Sequence, residues 1–242
     1  VGTGNYHPKT ARLYTDFGLL TCDEEIGADV ADMFNFLTGF ARPRAYRQVL
    51  VAPAHLRDAI LGEVEATIAA KGDGRRGRIR MKMNSLLDPR CIQALYRASE
   101  AGVQVELNVR GICALRPGVP GVSENIRVVS IVGRFLEHSR IYSFELPEET
   151  SIFIGSADLM PRNLYNRVEL MSPVDDPNSR AYLEDLLDRS LAAARAVAVA
   201  AGTVAVVAIT PVAIGVVRTS VPARALLTDS LFVLALAAIL GV

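Results

Sequence analysis

Ile131–Arg140, IVGRFLEHSR, sets His138 just past a short apolar, strand-like run, with Arg140 two residues on. A little further along, Ile152–Val168, IFIGSADLMPRNLYNRV, carries a Gly-Ser-Ala-Asp turn, then Arg162, Asn163 and Arg167. These residue types suit phosphate transfer. Histidine carries or relays a phosphoryl group near neutral pH. Arginine grips phosphate oxygens with a two-pronged fork, and a Gly-Ser turn brings backbone N–H groups close to an anion. Each piece also has a plainer reading: a structural histidine at a strand end, an ordinary tight turn, a solvated arginine face. The combination is what favours a site, together with a second copy of it. Gly2-Thr3-Gly4-Asn5, followed by Lys9, Arg12, Tyr14 and Asp16, parallels Gly155-Ser156-Ala157-Asp158, followed by Arg162, Tyr165, Arg167 and Glu169. Such a repeat at motif level predicts two half-sites facing one anionic substrate.

The elements that must position these groups alternate. Asp23 or Glu24 starts a helix through Leu37, with Ile26, Val30, Met33, Phe34 and Leu37 at helical spacing. Tyr46–Pro53 reads as a strand and Leu56–Ala70 as a helix. Lys71–Arg78 is a Gly-rich basic loop, either a phosphate contact or a solvated turn. Ile79–Asn84 reads as a strand. Asp88 caps a helix over Pro89–Ala101, which Gly102 stops. Val103–Val109 is a strand ending at Arg110, where α/β folds place ligand contacts; a surface arginine at a strand exit is the alternative. Strands follow at Ile126–Val132, Arg140–Glu145, Ser151–Ile154 and Val168–Val174, then a helix from Pro177 to near Arg195. The pattern predicts an α/β fold with a mixed, partly parallel sheet flanked by helices.

Bulk properties narrow the function. The chain has 242 residues, is 50% hydrophobic and has a formal net charge of zero. A core is affordable in area, and a general nucleic-acid binder is disfavoured. Cys22, Cys91 and Cys113 lie far apart without metal-ligand spacing, as expected in a reducing compartment. No signal peptide opens the chain, and Val1 already stands inside a motif, which predicts the downstream part of a longer protein. After Arg195 the character changes: Ala196–Val217 carries no charge, and Leu226–Val242 is apolar apart from Asp229. A membrane hairpin, an Ala/Val-rich soluble helix pair and a frame-shifted end all fit that tail.

The stretches GTGNYHPKTARLYTDFGLLT, NVRGICALRPGVPGVSENIRVVSIVGRFLEHSRIYSFE and IGSADLMPRNLYNRVEL resemble the C-terminal half of bacterial polyphosphate kinases of the histidine-phosphorylated type, over roughly residues 1–195. The resemblance implies a phospholipase-D-like fold, with an incomplete first lobe at 1–45, a full second lobe at 46–195 and a separate tail at 196–242. It implies reversible transfer of the ATP γ-phosphate to inorganic polyphosphate through a phosphohistidine, with magnesium neutralising the phosphates. The nucleophilic histidine and the magnesium-associated residues would lie upstream of Val1, leaving no metal ligand in this chain, and His7 is no substitute. His138 matches the second-lobe histidine that assists transfer. Tyr14 and Arg110 match nucleotide contacts, with His138 beside them. Arg140 stands where phospholipase-D motifs have lysine. Asn5, Lys9, Arg140, Ser156, Asp158, Arg162 and Asn163 are further candidate phosphate contacts. The partners implied are ATP/ADP and polyphosphate, in a cytoplasmic homo-oligomer, with membrane attachment only through the tail. The chain alone is expected to bind nucleotide weakly without turnover. A phospholipase-D-like phosphodiesterase and a non-catalytic polyphosphate-binding module are the competing functions.

Overall fold

The computed structural model describes residues 1–4, 7–39, 45–72, 75, 77–131, 134–146 and 149–192. Asn5 and the expected tail at 196–242 lie outside the described residues. The sheet lies within one compact unit, Val1–Leu191.

The elements are α1 (Pro8–Ala11), β1 (Tyr14–Thr15), α2 (Glu24–Leu37), β2 (Leu50–Ala52), α3 (Leu56–Gly72), β3 (Arg78–Met83), α4 (Pro89–Glu100), β4 (Gln104–Val109), β5 (Ile126–Val129), β6 (Leu136–Glu137), β7 (Ile141–Glu145), β8 (Thr150–Gly155) and β9 (Glu169–Pro173). A single π-helical turn, Arg162–Asn166, precedes β9, and a last helix, α5, runs over 177–192. The fold is α/β. A seven-stranded mixed sheet runs in the order β2-β9-β8-β7-β3-β4-β5. β3, β4 and β5 are parallel, and the remaining pairings are antiparallel.

Alternation on β3 sorts the two faces. Ile79, Met81 and Met83 join one core with Leu56, Ile60 and Val64 of α3 and Ala94, Leu95 and Ala98 of α4. Each large side chain buried this way stabilises the fold by about 1.5–3 kcal/mol. Ile141, Ile152 and Ile154 form a second cluster with Leu183 and Leu187 of α5. Arg78 and Arg80 share that face and are neutralised there, Arg80 by Glu145 and by Asp188 at 3.0 Å.

The caps follow their residue chemistry. Asp23 accepts from the Ile26 amide at 2.8 Å and Asp88 from the Cys91 amide at 3.0 Å. Gly102, with φ of 82°, ends the turn after α4. The strand expected over Tyr46–Pro53 is shorter, because the amides of Arg47, Gln48 and Val49 all donate to the fully buried Asp29 of α2. A carboxylate takes the place of a neighbouring strand. Burial alone would raise the Asp29 carboxyl; these amides and the Arg47 guanidinium outweigh it and hold it below the usual value. Similarly, β5 ends at Val129, short of the expected Val132.

The sheet directions gather the candidate groups at one edge. Parallel β3 and β4 exit there, at Asn84 and Arg110. Antiparallel β7 begins there, since Ile141 pairs with Lys82. β8 ends there and β9 returns from there, with Gly155 paired to Met171.

Candidate active site

His138 follows β6, which pairs in parallel with β1, Leu136 opposite Tyr14 and Glu137 opposite Thr15. The Thr15 carbonyl accepts from the amides of both His138 (3.2 Å) and Ser139 (3.0 Å). The short β1 therefore delivers two side chains to the histidine. His138 Nδ1 lies 3.0 Å from both oxygens of Asp16, and the Tyr14 ring lies 4.9 Å from the imidazole, centroid to centroid. A carboxylate can only accept, so Nδ1 carries the proton and the neutral ring keeps its Nε2 lone pair. Arg140 Nη1 sits 3.2 Å from both ring nitrogens. Burial and then the Arg140 charge push the His138 pKa below its ordinary value; Asp16 opposes them and Arg110 adds to them. The result is a neutral imidazole among cations, equipped to accept a proton or meet an anion.

Arg140 is the bolt of this edge. Nε and Nη2 donate to the two oxygens of Asp158, at 3.2 and 3.1 Å. Nη1 donates to the Thr3 carbonyl at 2.8 Å and to the His138 carbonyl at 3.0 Å. Asp158 also accepts from the Asn84 amide at 2.7 Å. The pair is buried on both sides. Arg140 thus ties together the Thr3 turn, the His138 segment and the Asp158 turn.

The two turns repeat bond for bond at a fixed offset of 153 residues (155 − 2). Gly2 bridges to Gly18 as Gly155 pairs with Met171. The Thr3 amide donates to the Phe17 carbonyl at 3.0 Å, and the Ser156 amide to the Leu170 carbonyl at 3.1 Å. The Phe17 amide donates to Thr3 Oγ1 at 2.8 Å, and the Leu170 amide to Ser156 Oγ at 3.3 Å. Thr3 Oγ1 donates to Asp16 at 2.8 Å, while Ser156 Oγ donates to Glu169. The close approaches differ: a Cβ on Gly155 would lie 2.3 Å from the Leu170 carbonyl, whereas one on Gly4, whose counterpart in the second turn is Ala157, would lie 2.0 Å from the Asp16 side-chain oxygen Oδ2.

The remaining candidates divide. Arg110 stands at the exit of β4, half-buried, its charge felt at His138. Ser156 and Asn163 lie by Glu169, with Asn163 Nδ2 donating to it at 2.6 Å. Lys9 and Arg162 are exposed on their helical turns. Sequence reasoning gave no site role to Asp16, Glu169, Lys82 or Asn84. For the first two the repeat itself was the signal, since it aligns Asp16 with Glu169. Among the described residues, no group of three His, Cys, Asp or Glu side chains is placed to hold a metal ion, and no helix is long and apolar enough to cross a membrane.

The family model described as polyphosphate kinase C-terminal domain 2 matches residues 49–202, and that for C-terminal domain 1 matches residues 1–43. The chain belongs to the polyphosphate kinase family. It is 58% identical to a polyphosphate kinase of Mycolicibacterium gilvum over 78% of this chain and 26% of that protein. It is 54% identical to one of Streptomyces coelicolor over 79% of this chain and 26% of that protein. The crystal structure of polyphosphate kinase from Porphyromonas gingivalis superposes with a TM-score of 0.76 at 44% identity, covering 79% of this chain and 29% of that one. The chain therefore spans about a quarter of the length of the curated relatives it matches.

Proposed function

We propose that this chain forms part of a polyphosphate kinase that transfers the ATP γ-phosphate reversibly to inorganic polyphosphate. The observation that carries the reading is His138, oriented by Asp16 and set against Tyr14 and Arg140 at one sheet edge, with the Arg110 charge also felt there. Phosphoryl transfer is governed by positioning and charge neutralisation. In this reading Arg110 holds nucleotide phosphates, Tyr14 lies against the nucleotide, and His138 moves a proton at Nε2 or contacts the phosphoryl group in flight.

In this reading the covalent step lies elsewhere, and the repeat supports it. Asp16 and Glu169 are equivalent carboxylates, and Asp16 serves the second-lobe histidine. By the same geometry Glu169 serves an imidazole of the first lobe, and the repeat-equivalent of His138 falls ahead of Val1. That histidine is the phosphorylated nucleophile in this reading: Glu169 holds its Nδ1–H so that Nε2 attacks the γ-phosphorus of ATP as the bond to the β,γ-bridging oxygen breaks and ADP leaves, and the terminal oxygen of polyphosphate then takes the phosphoryl group and frees the imidazole. The family implies magnesium, but the described residues offer no ligand cluster that fits it, so no step is routed through the metal here.

The test uses γ-labelled ATP with magnesium on the purified chain, alongside calorimetric titration of ATP into the chain and its Arg110→Ala variant. The expected result is no acid-labile label, and nucleotide binding weakened about tenfold or more by the substitution, since a hydrogen bond to a charged group is worth about 1.5–3 kcal/mol. Label on His138, or unchanged affinity in Arg110→Ala, would overturn the role assignment.

A further inference from the structure

Lys82, on β3, is buried beneath the His138 segment, with a relative exposure of 3%. Its ammonium group donates to Ser139 Oγ at 2.7 Å, to the Ser139 carbonyl at 3.3 Å and to Glu137 Oε2 at 3.1 Å. All three N–H bonds are therefore spent on the two residues that flank His138 in the chain. Two positions further along, just past the end of β3, Asn84 Nδ2 donates to the His138 carbonyl at 3.3 Å. A buried ammonium costs desolvation energy unless it is paired and fully hydrogen-bonded, and Lys82 finds that pairing in Glu137 and Ser139.

We infer that Lys82 is a positioning residue for His138: through Glu137 and Ser139 it clamps the histidine's backbone, so that the imidazole stays between Asp16 and Arg140. Glu137 is also half of β6, the two-residue strand that meets β1. The clamp therefore fixes the register in which Tyr14 and Asp16 reach the ring. Without it, Glu137 and Ser139 are held by β1 alone, while Arg140 and Asn84 reach, of that backbone, only the His138 carbonyl, and the ring moves away from the carboxylate and the guanidinium into water. The bearing of this clamp on phosphoryl transfer rests on the function proposed above; the clamp itself does not.

The test reads His138 by NMR as a function of pH in the intact chain, following its titration midpoint and its Nδ1–H signal. The groups facing the imidazole are Tyr14 of β1, Asp16 just after it, Arg140 ahead of β7, Arg110 after β4, and the Lys82–Glu137 pair below. Lys82→Met and Glu137→Ala remove opposite charges. If the two residues acted only through their charges, the midpoint would rise in the first variant and fall in the second. As a clamp, either loss releases the ring, so the midpoint rises toward about 6.5 in both, the Nδ1–H signal is lost in both, and Lys82→Arg restores part of the original behaviour. Shifts of opposite sign, or an unchanged midpoint in folded variants, overturn the proposal. Should Lys82→Met fail to fold, the direction of the shift in Glu137→Ala decides alone. None of these readouts depends on turnover, so they stand apart from the failure or success of the proposed activity.

Discussion

The turn at Gly2–Phe17 and the turn at Gly155–Leu170 share every backbone and hydroxyl bond described above, yet their carboxylates live differently. Asp16 is 22% exposed along its side chain and faces His138. Glu169 is 5% exposed and is held by Ser156, Asn163 and Arg167. The helical turns that follow differ as well: Pro8 opens an α-helical turn, while Pro161, at the equivalent place, precedes a π-helical one. The wider turn carries Asn163 inward to Glu169. Two copies of one motif thus hold the same frame, while the residue between the frame and the site has been tuned separately. Conserved bonds place the carboxylate, and local packing decides how much of it remains for an imidazole.

The largest effect that would break this comparison lies at Arg140, which fastens both turns. Arg140→Met leaves Asp158 charged and buried without its partner, so unfolding by denaturant should show a loss of about 3–5 kcal/mol. A loss under 1 kcal/mol would mean the turns are held independently. At the small end, Arg162→Ala removes an exposed side chain from the second turn. Its stability should stay within about 0.5 kcal/mol of the parent, and a larger loss would show that the π-helical turn depends on that arginine.

Much of the fold was legible because local chemistry decided it. Asp23, Asp88 and Gly102 marked helix ends by their own side chains or lack of one, and the pairing of Gly-Thr-Gly with Gly-Ser-Ala pointed to the repeat. What escaped depended on partners distant in sequence. Asp16 and His138 are 122 residues apart, so nothing local marks Asp16 as the histidine's carboxylate. Arg140 looked like a cation available to phosphate, but its donors go to Asp158, Thr3 and His138. The strand at Ile79–Asn84 was legible, but not the burial of its cations: Arg80 and Lys82 are both 3% exposed, Arg80 beneath α5 and Lys82 beneath the histidine. Asp29 shortened the strand before Pro53 by taking its backbone amides, a competition that strand propensity cannot register.

The most direct measurement is the NMR titration of His138 in the parent chain, in Asp16→Asn and in Glu169→Gln. The parent midpoint should lie below the ordinary histidine value. The lowered value means that this histidine's contribution to stability is complete above about pH 6.5 and fades as pH falls through the folded-state midpoint. Asp16 favours the imidazolium, so Asp16→Asn should lower the midpoint further, by about 1 unit, while Glu169→Gln should leave it in place. A shift in Glu169→Gln as large as that in Asp16→Asn, or no shift in Asp16→Asn, would contradict the division of the two carboxylates between two histidines.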